Sequence, residues 1–230
     1  MSKLRFSAEW VLCVFVPCAF FALSVYVERV MGYRCFTACE DGPVEYVQAL
    51  VCFMAFIVGA IFWTKTRDYP LWMRAFFMVG IVGALYAAFE EVSYGQRIFG
   101  WVTPESWGLV NDQYETNLHN ASSWLDQKPR LILFIGSIVG GLMIPALRRW
   151  KPILLPQKFA PVYPSNGVVI TAAFSLFVYV FRGITEALGR PELFMIERGS
   201  EAQEIYLYWF VFLYFWLKNR EITVSAIRGR

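Results

Sequence analysis

The residues of this chain that could carry out chemistry are concentrated in the stretch 90–120, EEVSYGQRIFGWVTPESWGLVNDQYETNLHN. It opens with two adjacent carboxylates, Glu90 and Glu91, and it contains Glu115 and the only histidine, His119. Carboxyl and imidazole groups are the side chains that most often exchange protons with substrates in catalysis. We therefore expect Glu90 or Glu91 to act as a general acid or base, with Glu115 and His119 as partners.

The same residue types also bind metal ions. If 111–119 is helical, Glu115 and His119 lie on one face at the i, i+4 spacing and can reach one divalent cation. The expected ligands of such a cation are Glu90, Glu115, His119, Glu201 and Glu204. Amides and arginines nearby can bind the polar or anionic part of a substrate. This group comprises Arg97, Arg182, Gln96, Asn111, Gln113, Asn117 and Asn120.

Composition indicates that these residues belong to a membrane protein. The chain has 230 residues, of which 57% are hydrophobic and 18% aromatic, with a mean hydropathy of +0.45. Soluble domains have about 45–50% apolar residues. The net charge of +3 is small and the basic residues are scattered, which argues against a nucleic-acid partner. No linker or composition shift divides the chain, so we expect one integral membrane domain over 1–230.

Hydropathy predicts an all-α, polytopic fold with six transmembrane helices. The predicted spans are 10–27, 46–63, 71–89, 131–147, 168–181 and 205–217. The fifth and sixth have uncharged cores too short for a bilayer, which needs about 20 apolar residues. The fifth helix should therefore extend through Arg182 toward Glu186, and the sixth should begin near Glu201. Between the third and fourth spans, 104–126 is expected to form an interfacial or re-entrant helical segment at the outer face, because Thr103 and Pro104 are typical of a helix start.

Helical rise predicts that the charged residues meet at one depth. Counted from the inner helix ends at 1.5 Å per residue, Glu90 lies about 29 Å up the third helix, and Arg182 about 21 Å up the fifth. Glu201 lies about 26 Å up the sixth. Charges in hydrocarbon are costly, so these side chains should face one another rather than lipid. On ideal helical spacing Glu90, Tyr94 and Arg97 share one face and Glu91 points away. For Glu201 and Glu204 with Arg182, either a site or a structural ion network fits the pattern.

Loop charge sets the expected orientation. The 13 Lys and Arg residues near 1–9, 65–74, 148–166 and the C-terminal tail outnumber the 8 elsewhere, which places both termini in the cytoplasm.

Gly136 and Gly140 have the spacing that lets membrane helices approach closely. Cys35 and Cys39 fall in an outer loop, where either a disulfide or two free thiols fits the spacing.

The residues Glu90–Arg97 (EEVSYGQR), followed by Asn111, Gln113, Glu115, Asn117 and LHN at 118–120, resemble a pattern of multi-pass proteins of bacterial inner membranes. The resemblance implies a bacterial inner membrane and no particular activity.

A second comparison, with a family of membrane proteases, fails. CAAX-processing and bacteriocin-immunity membrane proteases also have Glu-Glu followed by arginine, but their arginine comes after three residues and Arg97 comes after five. They also need two further histidine-bearing helices, which one histidine cannot supply.

The sequence therefore predicts an integral membrane protein with a Glu/His/Arg site at the outer leaflet. An enzyme acting on a lipid or lipid-linked substrate is the first hypothesis. A module that binds or transports a cation or small solute is the second, and a structural subunit of a membrane complex is the third.

Overall fold

Six long helices form the structure, a computed structural model that describes residues 8–37, 39, 42–105 and 123–228. The helices are α1 (Ala8–Val30), α2 (Pro43–Thr64), α3 (Leu71–Glu90), α4 (123–150), α5 (Val169–Ala187) and α6 (Gly199–Arg228). Short helical turns join them at Arg34–Phe36, Ser93–Gly95, Gln96–Phe99, Pro152–Leu154, Gln157–Val162, Asn166–Val168 and Pro191–Leu193. The described residues contain no β-strand.

Five of these helices are long and apolar enough to cross a membrane. They are α1, α2, α3, the 128–150 part of α4, and α5 with the turn that precedes it. The described residues are thus all-helical, and helices of this length and composition indicate a membrane protein, as the overall composition predicts. The sixth helix is the longest, with 30 residues, which corresponds to about 45 Å.

The helices extend beyond the predicted hydrophobic spans, and several predicted loops are wrong for this reason. Glu28 lies in the last turn of α1 and Glu45 in the first turn of α2, although both were expected in the connecting loop. α4 begins at Ser123, whereas the predicted span begins at 131. The expected extensions of the fifth and sixth helices are confirmed, because α5 runs to Ala187 and α6 begins at Gly199.

Helix α6 is the centre of the bundle. It packs along α2 and α5 and also contacts α3 and α4. Leu207, Leu213 and Phe215 on this helix are fully or almost fully buried. Its aromatic polar groups donate to backbone carbonyls of the surrounding chain, which satisfies them where water is absent. These bonds are Tyr206 Oη to Pro17 O (3.2 Å), Trp209 Nε1 to Leu12 O (3.0 Å) and Tyr214 Oη to Val162 O (3.0 Å).

The glycines of α4 have different roles from the predicted ones. A Cβ at Gly141 would lie 2.4 Å from the Cβ of Ala172 on α5, so Gly141 is where these two helices approach closely. Gly140 lies against Pro164, and a Cβ at Gly136 would meet nothing within 4 Å. The expected close helix contact is therefore wrong for Gly136, which borders open space, whereas a Cβ at Gly140 would lie 3.5 Å from Phe210 Cζ on α6.

Candidate functional site

A large cavity lies between α3 and α4, with α6 as its floor. Its volume is about 880 Å³, which is in the range of small-molecule sites in proteins. One end holds charged side chains from five different parts of the chain. The other end is apolar and reaches the segment 159–164, which connects α4 to α5.

The charged end carries five carboxylates and two arginines among the described residues. They are Glu45, Glu90, Glu91, Glu201 and Glu204, with Arg130 and Arg198. Arg130 Nη2 lies 2.5 Å from Glu204 Oε1, and Arg198 Nε lies 3.3 Å from Glu201 Oε1. Both glutamates are buried, which makes these ion pairs stronger than pairs on an open surface. Gln48 Nε2 also donates to the backbone oxygen of Glu201 at 3.0 Å.

Glu90 and Glu91 both belong to this cluster. Glu91 caps α3 with helical backbone angles (φ −61°, ψ −23°), so the two side chains lie only about 100° apart around the helix axis and both reach the cavity. The expectation that Glu91 points away is therefore wrong, and Glu91 accepts a hydrogen bond from Tyr208 Oη on α6 at 2.9 Å. The chain reverses after it, where Ser93 and Tyr94 adopt left-handed backbone conformations, with φ of 46° and 54°, that strain residues other than glycine. The expected helical face shared by Glu90, Tyr94 and Arg97 is wrong for this reason, because α3 ends at Glu90.

Two tyrosines bind Glu90. Tyr86, one turn earlier on α3, and Tyr94, just beyond the reversal, each share a side-chain hydrogen bond with the Glu90 carboxylate. Burial, and then the hydrogen bond to Glu90, raise the pKa of Tyr94 above its usual value. Tyr94 therefore stays protonated at neutral pH and donates to the carboxylate. This arrangement holds a buried carboxylate in place while leaving it next to the cavity.

The apolar end forms a long trough. On α3 it extends from Glu90 to Phe76, a distance of about 21 Å along the helix. This is more than half of a ~30 Å hydrocarbon core. Val79 on α3 and Ile132 on α4 line the trough and are also 73% and 71% exposed. The trough consequently reaches the outside of the bundle between α3 and α4.

The remaining predicted site residues lie elsewhere or outside the described part. Arg182 pairs with Glu186 on α5, Nε to Oε1 at 3.2 Å, and is not among the side chains that line the cavity. Gln96 donates to Thr103 Oγ1 at 2.7 Å. The side chain of Arg97 lies outside the described residues. So do Asn111, Gln113, Glu115, Asn117, His119 and Asn120, together with most of the predicted interfacial segment.

Sequence reasoning missed three charged residues of the cavity, Glu45, Arg130 and Arg198. Each lies just beyond the end of a predicted span and was assigned to a connection. A signal was present, because each stands within about two turns of an outer helix end, where Glu90 and Glu201 also lie. Tyr208 was missed because tyrosine is common in apolar helices.

Metal binding by the predicted ligands stays a prediction. Within the described residues, no group of three or more His, Cys, Asp or Glu side chains is placed to hold a metal ion. Glu115 and His119, which belong to the predicted ligand set, are not described.

Comparison with known proteins adds no family or fold to these observations: no family model matches the chain, and no curated protein or solved structure matches it.

Proposed function

We propose that the protein binds a lipid or lipid-linked substrate in the cavity between α3 and α4 and acts on its polar end by acid–base chemistry. One observation carries the proposal. A single cavity joins an apolar trough, open to the side of the bundle, to a buried end lined with carboxylates and arginines. An amphiphile has the same two parts in the same order. A small polar solute would leave the trough empty.

The residues have distinct roles in this proposal. Glu90 or Glu91 gives or takes a proton at the polar end, and the tyrosines that bind them fix their positions. Arg130 and Arg198 line the same end, and guanidinium groups suit anionic parts of a head group. Arg97, Glu115 and His119 remain candidates as partners, because the segment 90–120 begins with the cavity residues Glu90 and Glu91.

The proposal includes a membrane setting. We place the protein in a bacterial inner membrane with six spans, α6 as the sixth, and both termini in the cytoplasm. The Lys and Arg distribution supports this orientation. Cys35 and Cys39 form a disulfide in the connection between α1 and α2, the side assigned to the periplasm. Disulfides persist in the periplasm and are rare in the cytosol.

The cavity can be blocked without disturbing the helices. Gly83 on α3 and Gly136 on α4 both line it, and a Cβ at either meets nothing within 4 Å. Gly83 lies about 10 Å from Glu90 along α3, and Gly136 lies about 9 Å from Arg130 along α4. Gly183 on α5 has equal free space but does not line the cavity. Gly136→Phe and Gly83→Phe should therefore fill the trough, and Gly183→Phe is the matched control.

The test uses a phospholipid with a photoreactive diazirine in its acyl chain, with the purified protein in nanodiscs. In the wild type, we expect labelled peptides from 76–83 and 132–139. Labelling there should fall at least tenfold in both cavity variants and stay at the wild-type level in Gly183→Phe. Equal labelling in all four proteins would mean that only surface lipid is detected, and the proposal would be abandoned.

A second function, binding of a cation or cationic solute, is favoured by the charge balance of the cavity. Five carboxylates line it, against Arg130 and Arg198 among the described residues. In the sequence from 90 to 127, Arg97 is the only Lys or Arg residue. If this function is the principal one, Mg²⁺ or Ca²⁺ should raise the melting temperature. At a cation concentration of 100 times the Kd, the free energy of unfolding should increase by about 2.7 kcal/mol. Glu90→Gln should remove that increase and leave cellular lipids unchanged.

A further inference from the structure

The carboxylate of Glu28 joins three separate outer segments of the chain. Glu28 lies in the last turn of α1 and is 5% exposed. One carboxylate oxygen accepts hydrogen bonds from both the backbone N–H (3.1 Å) and the hydroxyl of Thr37. The other oxygen accepts from the backbone N–H of Glu197 at 2.6 Å. Hydrogen bonds to a charged acceptor are about twice as strong as neutral ones, so this carboxylate holds the segments firmly.

Thr37 extends this connection to the cavity. Its Oγ1 donates to Glu28 and also accepts from the backbone N–H of Arg198 at 3.3 Å. Thr37 itself lies between Cys35 and Cys39, which close the turn as a disulfide. The backbone of Arg198 is therefore bound to a threonine whose position is set by a cross-linked turn and a buried carboxylate.

A neighbouring residue of α1 binds the same loop. Arg29 Nε donates to Met195 O at 3.1 Å, and Arg29 Nη2 donates to Phe194 O. The loop that leads into α6 is thus held to the end of α1 at Phe194, Met195 and Glu197. The side chain that follows is Arg198, which lines the cavity and pairs with Glu201.

We propose that Glu28, Thr37 and the Cys35–Cys39 turn are positioning residues for Arg198 in the cavity. None of the three lines the cavity, so they act only through the backbone they hold. Loss of their contacts should let the 194–198 loop move and displace the Arg198 guanidinium from Glu201. This inference concerns the placement of Arg198 and holds whichever ligand the cavity takes.

The test is hydrogen exchange of the full-length protein in nanodiscs, compared between two pairs of variants. Thr37→Val removes the hydroxyl at nearly constant volume, and Thr37→Ser retains it. The double variant Cys35→Ser, Cys39→Ser removes the disulfide, and Cys18→Ser removes an exposed free thiol on α1 as its control. Thr37→Val and the double serine variant should speed exchange of the amides of Glu197 and Arg198 about tenfold or more. Thr37→Ser and Cys18→Ser should leave it unchanged.

Exchange in the middle of α6, at Leu207 and Leu213, separates positioning from general stability. Those amides should keep the wild-type rate in every variant. Equal acceleration along all of α6 would mean that the contacts only stabilise the fold, and the proposal would be rejected. Unchanged exchange at Arg198 in Thr37→Val would reject it as well.

A double-mutant cycle connects the loop to the site. If Thr37 acts through Arg198, the change in acyl-diazirine labelling caused by Thr37→Val should largely disappear in an Arg198→Lys background. Additive effects would contradict action through Arg198. Because exchange is measured without ligand, absence of specific labelling would reject the proposed lipid function and leave this inference to be decided by the exchange rates.

Discussion

The two adjacent carboxylates at the end of α3 are bound from different directions, Glu90 by Tyr86 and Tyr94 and Glu91 by Tyr208. Hydroxyl donors stabilise an ionised carboxylate without neutralising it. Each glutamate is therefore held beside the cavity, where a substrate can reach its carboxylate. Glu204 is less available to a substrate, because Arg130 Nη2 already lies 2.5 Å from its carboxylate oxygen.

This difference predicts which glutamates matter for chemistry. Glu90→Gln should keep hydrogen bonding and fold, yet lower turnover of the lipid substrate by at least the ~10²-fold typical of a lost general acid or base. His119→Gln should have the same effect if His119 is the partner. The measurement is the lipid profile of cells that depend on the variant, with melting curves to show that the fold is intact. Glu186→Gln is the control, since Glu186 is an exposed outer glutamate that pairs with Arg182 outside the cavity. A wild-type lipid profile in Glu90→Gln would contradict the enzyme hypothesis.

At this scale, sequence reasoning named four of the seven charged residues at this end of the cavity. Glu90, Glu201 and Glu204 could be brought together from helical rise alone, because their depth depends only on distance along straight helices. The chain reversal at Ser93 and Tyr94 could not be predicted, because both residues adopt left-handed conformations that residues other than glycine rarely adopt. For Arg130 and Arg198 the sequence gives a matching depth but not the direction, because charges beyond a hydrophobic run look the same whether they face water or a cavity.

At the scale of helices, the cavity exists because α3 and α4 pack on different neighbours. α3 packs against α2, where a Cβ at Gly59 would lie 2.7 Å from Ile81 Cγ1. α4 packs toward α5 through Gly141 and Ala172. Because small residues let each helix pack closely on its own partner, a gap remains between α3 and α4. Helix existence was predictable from hydropathy, whereas which glycine makes a contact was not, because spacing alone cannot distinguish Gly136 from Gly141.

The two kinds of glycine should respond oppositely to the same substitution. Gly141→Ala places a methyl group 2.4 Å from Ala172 Cβ and 2.9 Å from Phe210 Cε2, so it should destabilise the bundle by about 1–3 kcal/mol. Gly136→Ala meets nothing within 4 Å, and alanine favours helix by about 0.5–1 kcal/mol over glycine. Unfolding in detergent with increasing SDS measures both. Equal stability of the two variants would show that α4 and α5 are not in close contact at Gly141.

At the scale of the whole molecule, the proposed function depends on which side of the membrane the charged end faces. The charged end is formed by the end of α3, by the beginnings of α2, α4 and α6, and by the loop that leads from α5 to α6. All of these lie on the side opposite the basic segment 148–158 and the C-terminal tail if each long helix crosses once. In the proposed orientation the charged end faces the periplasm, together with the Cys35–Cys39 disulfide.

Reporter fusions in a bacterial host test this arrangement directly. Alkaline phosphatase, which folds only in the periplasm, should be active when fused after Ser122 and inactive after Lys158 or Arg230. β-Galactosidase at the same positions should give the opposite pattern, because it is active only in the cytoplasm. The outcome also tests α6 as a span: with five spans, Lys158 and Arg230 would report opposite sides. Phosphatase activity after Lys158 and Arg230, with none after Ser122, would place the carboxylates in the cytoplasmic leaflet. Substrates would then have to reach the trough from that leaflet.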